Sequence, residues 1–214
     1  MKMKKYLYVG LSLLSSFFLW TIIVITIDVQ AIGPNCSKVG LSSLNGYVHN
    51  ITGVNMMLYT ITDWLSLIPI AFIIAFGISG VIQWIKRKSL FKVDRSIMIL
   101  GCFYVVVMCL YILFEVVVIN YRPVLINGIL ETSYPSSTTM LVMCVIPTTI
   151  IQLKKRITNT LLKRFISVIL HVFGVFMTIS RLISGVHWFS DIVAGGLLSC
   201  GLVILYIYFS DLSD

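Results

Sequence analysis

Ser180-Arg181-Leu182-Ile183-Ser184-Gly185-Val186-His187-Trp188-Phe189-Ser190-Asp191 is the stretch from which the rest of the chain can be read. Apolar runs flank it on both sides, so it is expected to join two membrane spans and to hold its polar side chains at one membrane surface. Arg181 offers a planar fork of donors that matches phosphate oxygens. His187 can attack phosphorus through a neutral ring nitrogen, provided that its other nitrogen carries the proton. Asp191 lies four residues on, within reach of the imidazole if the segment is helical. Upstream, Arg122-Pro123 and Pro135-Ser136-Ser137 fall at the same expected surface. Together these residues describe a site that handles phosphate.

The composition supports the membrane reading. Of 214 residues, 58% are hydrophobic and 11% charged, against about 25% charged in soluble domains. No polar segment is long enough for a separate soluble domain, so residues 1–214 are expected to form a single membrane-embedded domain. Six apolar runs are long enough to cross a core of about 30 Å. They are Tyr6 to Ile27, Leu65 to Ile85, Ile97 to Ile119, Ser137 to Leu153, Phe165 to Ile179 and Ile192 to Phe209. The first is expected to be an uncleaved helix, although Val29-Gln30-Ala31 faintly resembles a cleavage site. The expected fold is all-α and integral to the membrane, with six transmembrane helices. Between residues 28 and 63, turn formers and short apolar groups predict an outer loop with one interfacial helix.

The formal net charge of +8 does not mark a nucleic-acid binder. Most of the positive residues fall into three clusters between spans: Lys2 to Lys5, Lys86 to Arg95, and Lys154 to Arg164. That is the positive-inside pattern. It places both termini in the cytoplasm, the site on the outer face, and anionic membrane lipids beside the clusters. High Ile content with little Ala suggests an AT-rich bacterial genome, and hence a plasma membrane. The cysteines lie mostly within apolar spans and predict no disulfide framework. No Cys or His spacing suggests a metal site.

The hydroxyl-rich run after Pro135 has the form of a helix N-cap. A helix start also offers free N–H groups and a positive dipole to an anion. Ser136 and Ser137 are therefore candidate phosphate ligands beside Arg122 and Arg181.

At these residues the chain resembles the type 2 phosphatidic acid phosphatase superfamily, whose site pattern is shared with vanadium-dependent haloperoxidases. The family pattern is Lys, six residues, Arg-Pro; then Pro-Ser-Gly-His; then Ser-Arg, five residues, His, three residues, Asp. The third part is complete here as Ser180-Arg181, His187 and Asp191. The first two are half present, as Arg122-Pro123 and Pro135-Ser136. The resemblance implies a lipid phosphatase in which His187 forms a phosphohistidine and Asp191 orients it. Arg122, Ser136 and Arg181 would cage the phosphate, with no metal or other cofactor.

Two positions depart from the pattern. Glu115 stands where the family has lysine, and is expected to pair with Arg122, seven residues on. Thr138 stands where the family has its general-acid histidine. Loss of that acid matters for an alkoxide leaving group, since water has a pKa of about 15.7. It matters little for a phosphate ester, with a second pKa of about 6. A lipid diphosphate, such as a polyprenyl diphosphate, is therefore the expected substrate. The alternatives are a lipid-phosphate binding or transport-related protein without turnover, and a lipid phosphoryl transferase.

Overall fold

The computed structural model describes residues 2–212; Met1, Ser213 and Asp214, the ends of the expected single domain, lie outside it. The described chain is all-α apart from short bridges and turns. Its helices are α1 (Lys2–Thr26), α2 (Ser42–Thr52), α3 (Met56–Leu65), α4 (Leu67–Arg87), α5 (Arg95–Val116), α6 (Ser137–Arg156), α7 (Thr160–Ile183) and α8 (Phe189–Asp211). Six segments are long and apolar enough to span a bilayer. In lipid, helices satisfy every backbone polar group internally.

The region expected to hold one interfacial helix holds two, α2 and α3. Only Ser66, itself helical in backbone, separates α3 from α4, so Met56–Arg87 forms one apolar run of 32 residues. At 1.5 Å per residue this run is about 48 Å long, more than the hydrocarbon core requires. Tyr59 and Asp63 lie in its α3 part.

The most buried span, α6, is also the least apolar of the six. The bundle interior tolerates what lipid would not. Thr139, Thr148, Thr149 and Gln152 of α6 are all buried, and Gln152 Nε2 donates to the Tyr206 hydroxyl at 2.6 Å and the Ser96 carbonyl at 3.1 Å. α6 packs against α7 and α8, and α1 lies along α8. Small residues on α8 make both approaches possible. A Cβ on Gly195 would sit 3.2 Å from the Ser136 carbonyl oxygen of α6's cap. One on Gly201 would sit 2.8 Å from Leu14 Cδ2 of α1. All five cysteines are free.

One glycine fixes the connection between α7 and α8. Gly185 has φ +66°, and a Cβ there would fall 1.8 Å from the Gly53 carbonyl oxygen. Alongside, Asn55 N donates to the Ser184 carbonyl at 3.0 Å. The α2–α3 turn thus docks on the segment that carries His187. Gly185→Ala combines a left-handed backbone, costing about 1–3 kcal/mol, with a backbone collision. Thermal unfolding in detergent is expected to show clear destabilisation, and a wild-type Tm would contradict this account of the docking.

Candidate active site

Several segments meet at the end of the bundle where α6 and α8 begin. The first is the connection between α5 and α6. It folds back as a small antiparallel hairpin, pairing Tyr121 with Thr132 and Ile126 with Ile129. Its tip is Asn127-Gly128, both with positive φ (51° and 78°), the backbone that a two-residue hairpin turn demands. The hairpin returns Arg122 to the neighbourhood of Ser133, with Arg122 N donating to the Glu131 carbonyl at 3.0 Å and Ser133 N to the Asn120 carbonyl at 2.9 Å.

The starts of α6 and α8 are bonded together, with Ser136 N donating to the Asp191 carbonyl at 3.1 Å. Asp191 is fully buried. Its carboxylate accepts from Trp188 N at 2.9 Å, Asn120 Nδ2 at 3.3 Å and Ser190 Oγ at 3.4 Å. It caps α8 and pins the hairpin to it. Trp188 adds a second pin, its indole N–H donating to the Tyr121 carbonyl at 2.7 Å. From α1, Trp20 Nε1 donates to the Ser190 carbonyl at 3.1 Å, and the Thr21 hydroxyl lies 2.7 Å from that of Tyr134.

His187 sits inside this frame, 3% exposed. Its Nδ1 lies 3.2 Å from the Ser133 carbonyl oxygen and 3.9 Å from Asp191 Oδ2. The nearer partner is thus a backbone carbonyl, with the expected carboxylate behind it. A carbonyl only accepts, so Nδ1 carries the proton and Nε2 the lone pair. Nε2 is buried without a hydrogen-bond partner among the described residues.

Burial holds the imidazole's pKa well below its ordinary value, and the charges of Arg122 and Arg181 add to the effect. The Ser133 carbonyl opposes it more weakly. The sign is that of a base kept neutral. As pH falls through about 6.5, the unfolded chain takes up a proton that the folded site refuses. Stability therefore falls below that pH, while the folded imidazole stays neutral. A ¹⁵N NMR titration is expected to show Nδ1 protonated and Nε2 bare at pH 6.5; an imidazolium at that pH would contradict the reading.

Arg181, on the last turn of α7, is 1% exposed. Its Nη2 pairs with Asp63 of α3 at 3.0 Å. Arg122 Nε pairs with Glu131 at 3.2 Å. Both guanidinium carbons lie over the ring of Tyr59, at 5.0 Å for Arg181 and 5.7 Å for Arg122. One aromatic ring thus gathers two cations that would otherwise repel. Arg122 Nη1, Arg181 Nε and Nη1, and Ser136 Oγ are buried and have no hydrogen-bond partner among the described residues. Ser136 occupies the N-cap of α6, yet its side chain makes no capping bond. Capping therefore does not explain its hydroxyl.

The pairing expected between Glu115 and Arg122 does not form. α5 ends at Val116, so seven residues do not amount to two helical turns. Glu115 Oε2 instead accepts from the Thr132 hydroxyl at 3.1 Å. Thr138 and Ser137 line a cleft of about 630 Å³ together with Arg122, Asp63, Glu115 and Glu131. A smaller cavity of about 10 Å³ adjoins it, lined by His187, Ser133, Ser137, Thr132 and Glu115 among others. The structure thus brings together Arg122, Ser136, Ser137, Arg181, His187 and Asp191, with Glu115 and Thr138 at the cleft. Sequence reasoning missed Tyr59, Asp63, Asn120, Glu131 and Ser133. Only the hairpin had a local signal, Asn127-Gly128 between isoleucines.

One buried guanidinium group, a second that is partly buried, a helix start and a neutral imidazole within a bundle of membrane-spanning helices define a class, the membrane phosphatases. Residues 98–213 match the model of the PAP2 superfamily, and the chain belongs to that family. Membership makes it a membrane lipid phosphatase and implies hydrolysis of phosphate monoesters. The fold is similar to the crystal structure of a transmembrane PAP2-type phosphatidylglycerolphosphate phosphatase from Bacillus subtilis. That similarity has a TM-score of 0.62 and 20% identity, and covers 97% of this chain and 98% of the other. No curated protein matches the chain.

Proposed function

We propose that the protein hydrolyses a lipid diphosphate, of which polyprenyl diphosphates are the model, at the outer face of a bacterial plasma membrane, through a phosphohistidine on His187. The observation that carries this reading is a group of buried atoms at the site without a hydrogen-bond partner among the described residues: Arg122 Nη1, Arg181 Nε and Nη1, Ser136 Oγ and His187 Nε2. Burying a polar group unmet costs about 1–3 kcal/mol. A phosphoryl group accepts from the guanidinium groups and the hydroxyl while its phosphorus faces Nε2. Asp191 contributes by capping α8 and holding the backbone beside the imidazole.

The basic side chains between α4 and α5 and between α6 and α7 lie at the other ends of these spans, which supports a cytoplasmic location for those loops and for both termini. Preference for a diphosphate rests on Thr138. A threonine hydroxyl is a poor proton donor at neutral pH, and a phosphate leaving group does not require one. General acid catalysis is worth roughly 10² to 10⁴-fold, so the loss falls mainly on monoesters. Purified protein given a polyprenyl diphosphate and phosphatidate is expected to release phosphate much faster from the diphosphate. Faster release from phosphatidate would overturn the preference.

The two ion pairs favour one further reading. Asp63 and Glu131 already engage the guanidinium groups, as would suit a lipid-phosphate binding protein without turnover. Phosphate release from either substrate would exclude it.

A further inference from the structure

Hydrolysis through phosphohistidine has a second half, and Thr138 serves it poorly. Once the lipid phosphate has left, water must attack phosphorus and give up a proton. A hydroxyl is a weak base for that task, whereas a carboxylate suits it. Among the carboxylates at the cleft, Asp63 and Glu131 are bound to guanidinium groups. Asp191 is buried, and three donors occupy its two oxygens. Glu115 alone of the four lines the small cavity with His187.

That cavity has the dimensions of the task. About 10 Å³ is the lower limit for one water molecule. Its polar lining includes Thr132, Ser133, Ser137, Glu115 and His187, and such a water needs two to four polar partners. Glu115 is held in place on one side, its Oε2 accepting from the Thr132 hydroxyl at 3.1 Å. The backbone carbonyl of Thr132 in turn accepts from Arg122 Nε at 3.4 Å. The hairpin that positions a phosphate ligand therefore positions this carboxylate too.

We infer that Glu115 is the general base that activates water against the phosphohistidine. This rests on the proposed use of His187 as nucleophile. Water oxygen bonds to phosphorus as the P–Nε2 bond breaks, and that electron pair returns to Nε2. The water proton passes to the Glu115 carboxylate and then to solvent or the departing phosphate. Nδ1 keeps its proton throughout, directed at the Ser133 carbonyl, so a neutral imidazole is regenerated. The two departures from the family pattern then fit together. A diphosphate substrate spares the acid of the first step, and Glu115 supplies the base of the second.

Rapid-quench kinetics with terminally ³²P-labelled polyprenyl diphosphate test this in the wild type, Glu115→Gln and Glu115→Asp. Glu115→Gln is expected to form the labelled protein at the wild-type rate and to lose the label roughly 10² to 10⁴-fold more slowly. Glu115→Asp is expected to recover part of the decay rate. An unchanged formation rate also shows that the variant is folded. Wild-type decay in Glu115→Gln overturns the assignment while leaving the phosphohistidine intact. Slowed formation with normal decay overturns it too, in favour of substrate binding. A wild type that releases phosphate without ever carrying label overturns both the assignment and the proposed function.

Discussion

His187→Ala is expected to reduce kcat by roughly 10⁶-fold, the scale seen when a covalent nucleophile is removed from a preorganised site. The size follows from how much of the local structure serves one nitrogen. The Ser133 carbonyl fixes the proton on Nδ1, burial and the charges of Arg122 and Arg181 keep the ring neutral, and Nε2 is left as a bare lone pair with no partner among the described residues. No neighbour can take its place. Asp191 has its oxygens engaged, and hydroxyl groups such as those of Ser136 and Ser137 are weak nucleophiles without a base. The substitution should leave the frame standing, because α8 is capped by Asp191 through Trp188 N rather than by the imidazole. Phosphate release by His187→Ala within tenfold of the wild type, with an unchanged Tm, would remove His187 from the chemistry.

Arg181→Ala is expected to lower kcat/KM by roughly 10² to 10³-fold, the usual loss when a preorganised donor to a developing anion is removed. Arg181 is almost wholly buried, two of its nitrogens have no partner among the described residues, and its third is held by Asp63. Its orientation is therefore set before substrate arrives. Arg181→Lys should recover little. An ammonium cannot present a planar fork to two phosphate oxygens while keeping the contact with Asp63. Loss of the ion pair itself should matter less for stability, because Asp63 is 60% exposed and can return to water. Full activity in Arg181→Lys would show that the guanidinium supplies charge alone.

The spans were legible in the sequence because lipid imposes a length and an apolar composition that few other environments demand. The charge clusters, Arg122, Ser136 and the run from Arg181 to Asp191 were legible for a related reason, each standing at a span boundary. What sequence could not supply was non-local. The partner of His187 Nδ1 is a backbone carbonyl, which carries no residue signature. Tyr59, from the α3 end of the run that α3 and α4 form, gathers guanidinium groups that lie 63 and 122 residues further along the chain. The Glu115–Arg122 pair failed because helical spacing was carried past Val116, where α5 stops. The hairpin that follows was announced by Asn127-Gly128, a signal easily passed over in an otherwise helical chain.

The central claim is that one ring nitrogen, Nε2 of His187, receives the phosphoryl group. Mass spectrometry of wild-type protein quenched in alkali during turnover, with fragmentation around residue 187, tests it most directly. The account predicts a phosphate on His187, alkali-stable and acid-labile, with ³¹P NMR placing it on Nε2. Turnover with no covalent phosphate at His187, or phosphate on Nδ1, would contradict it.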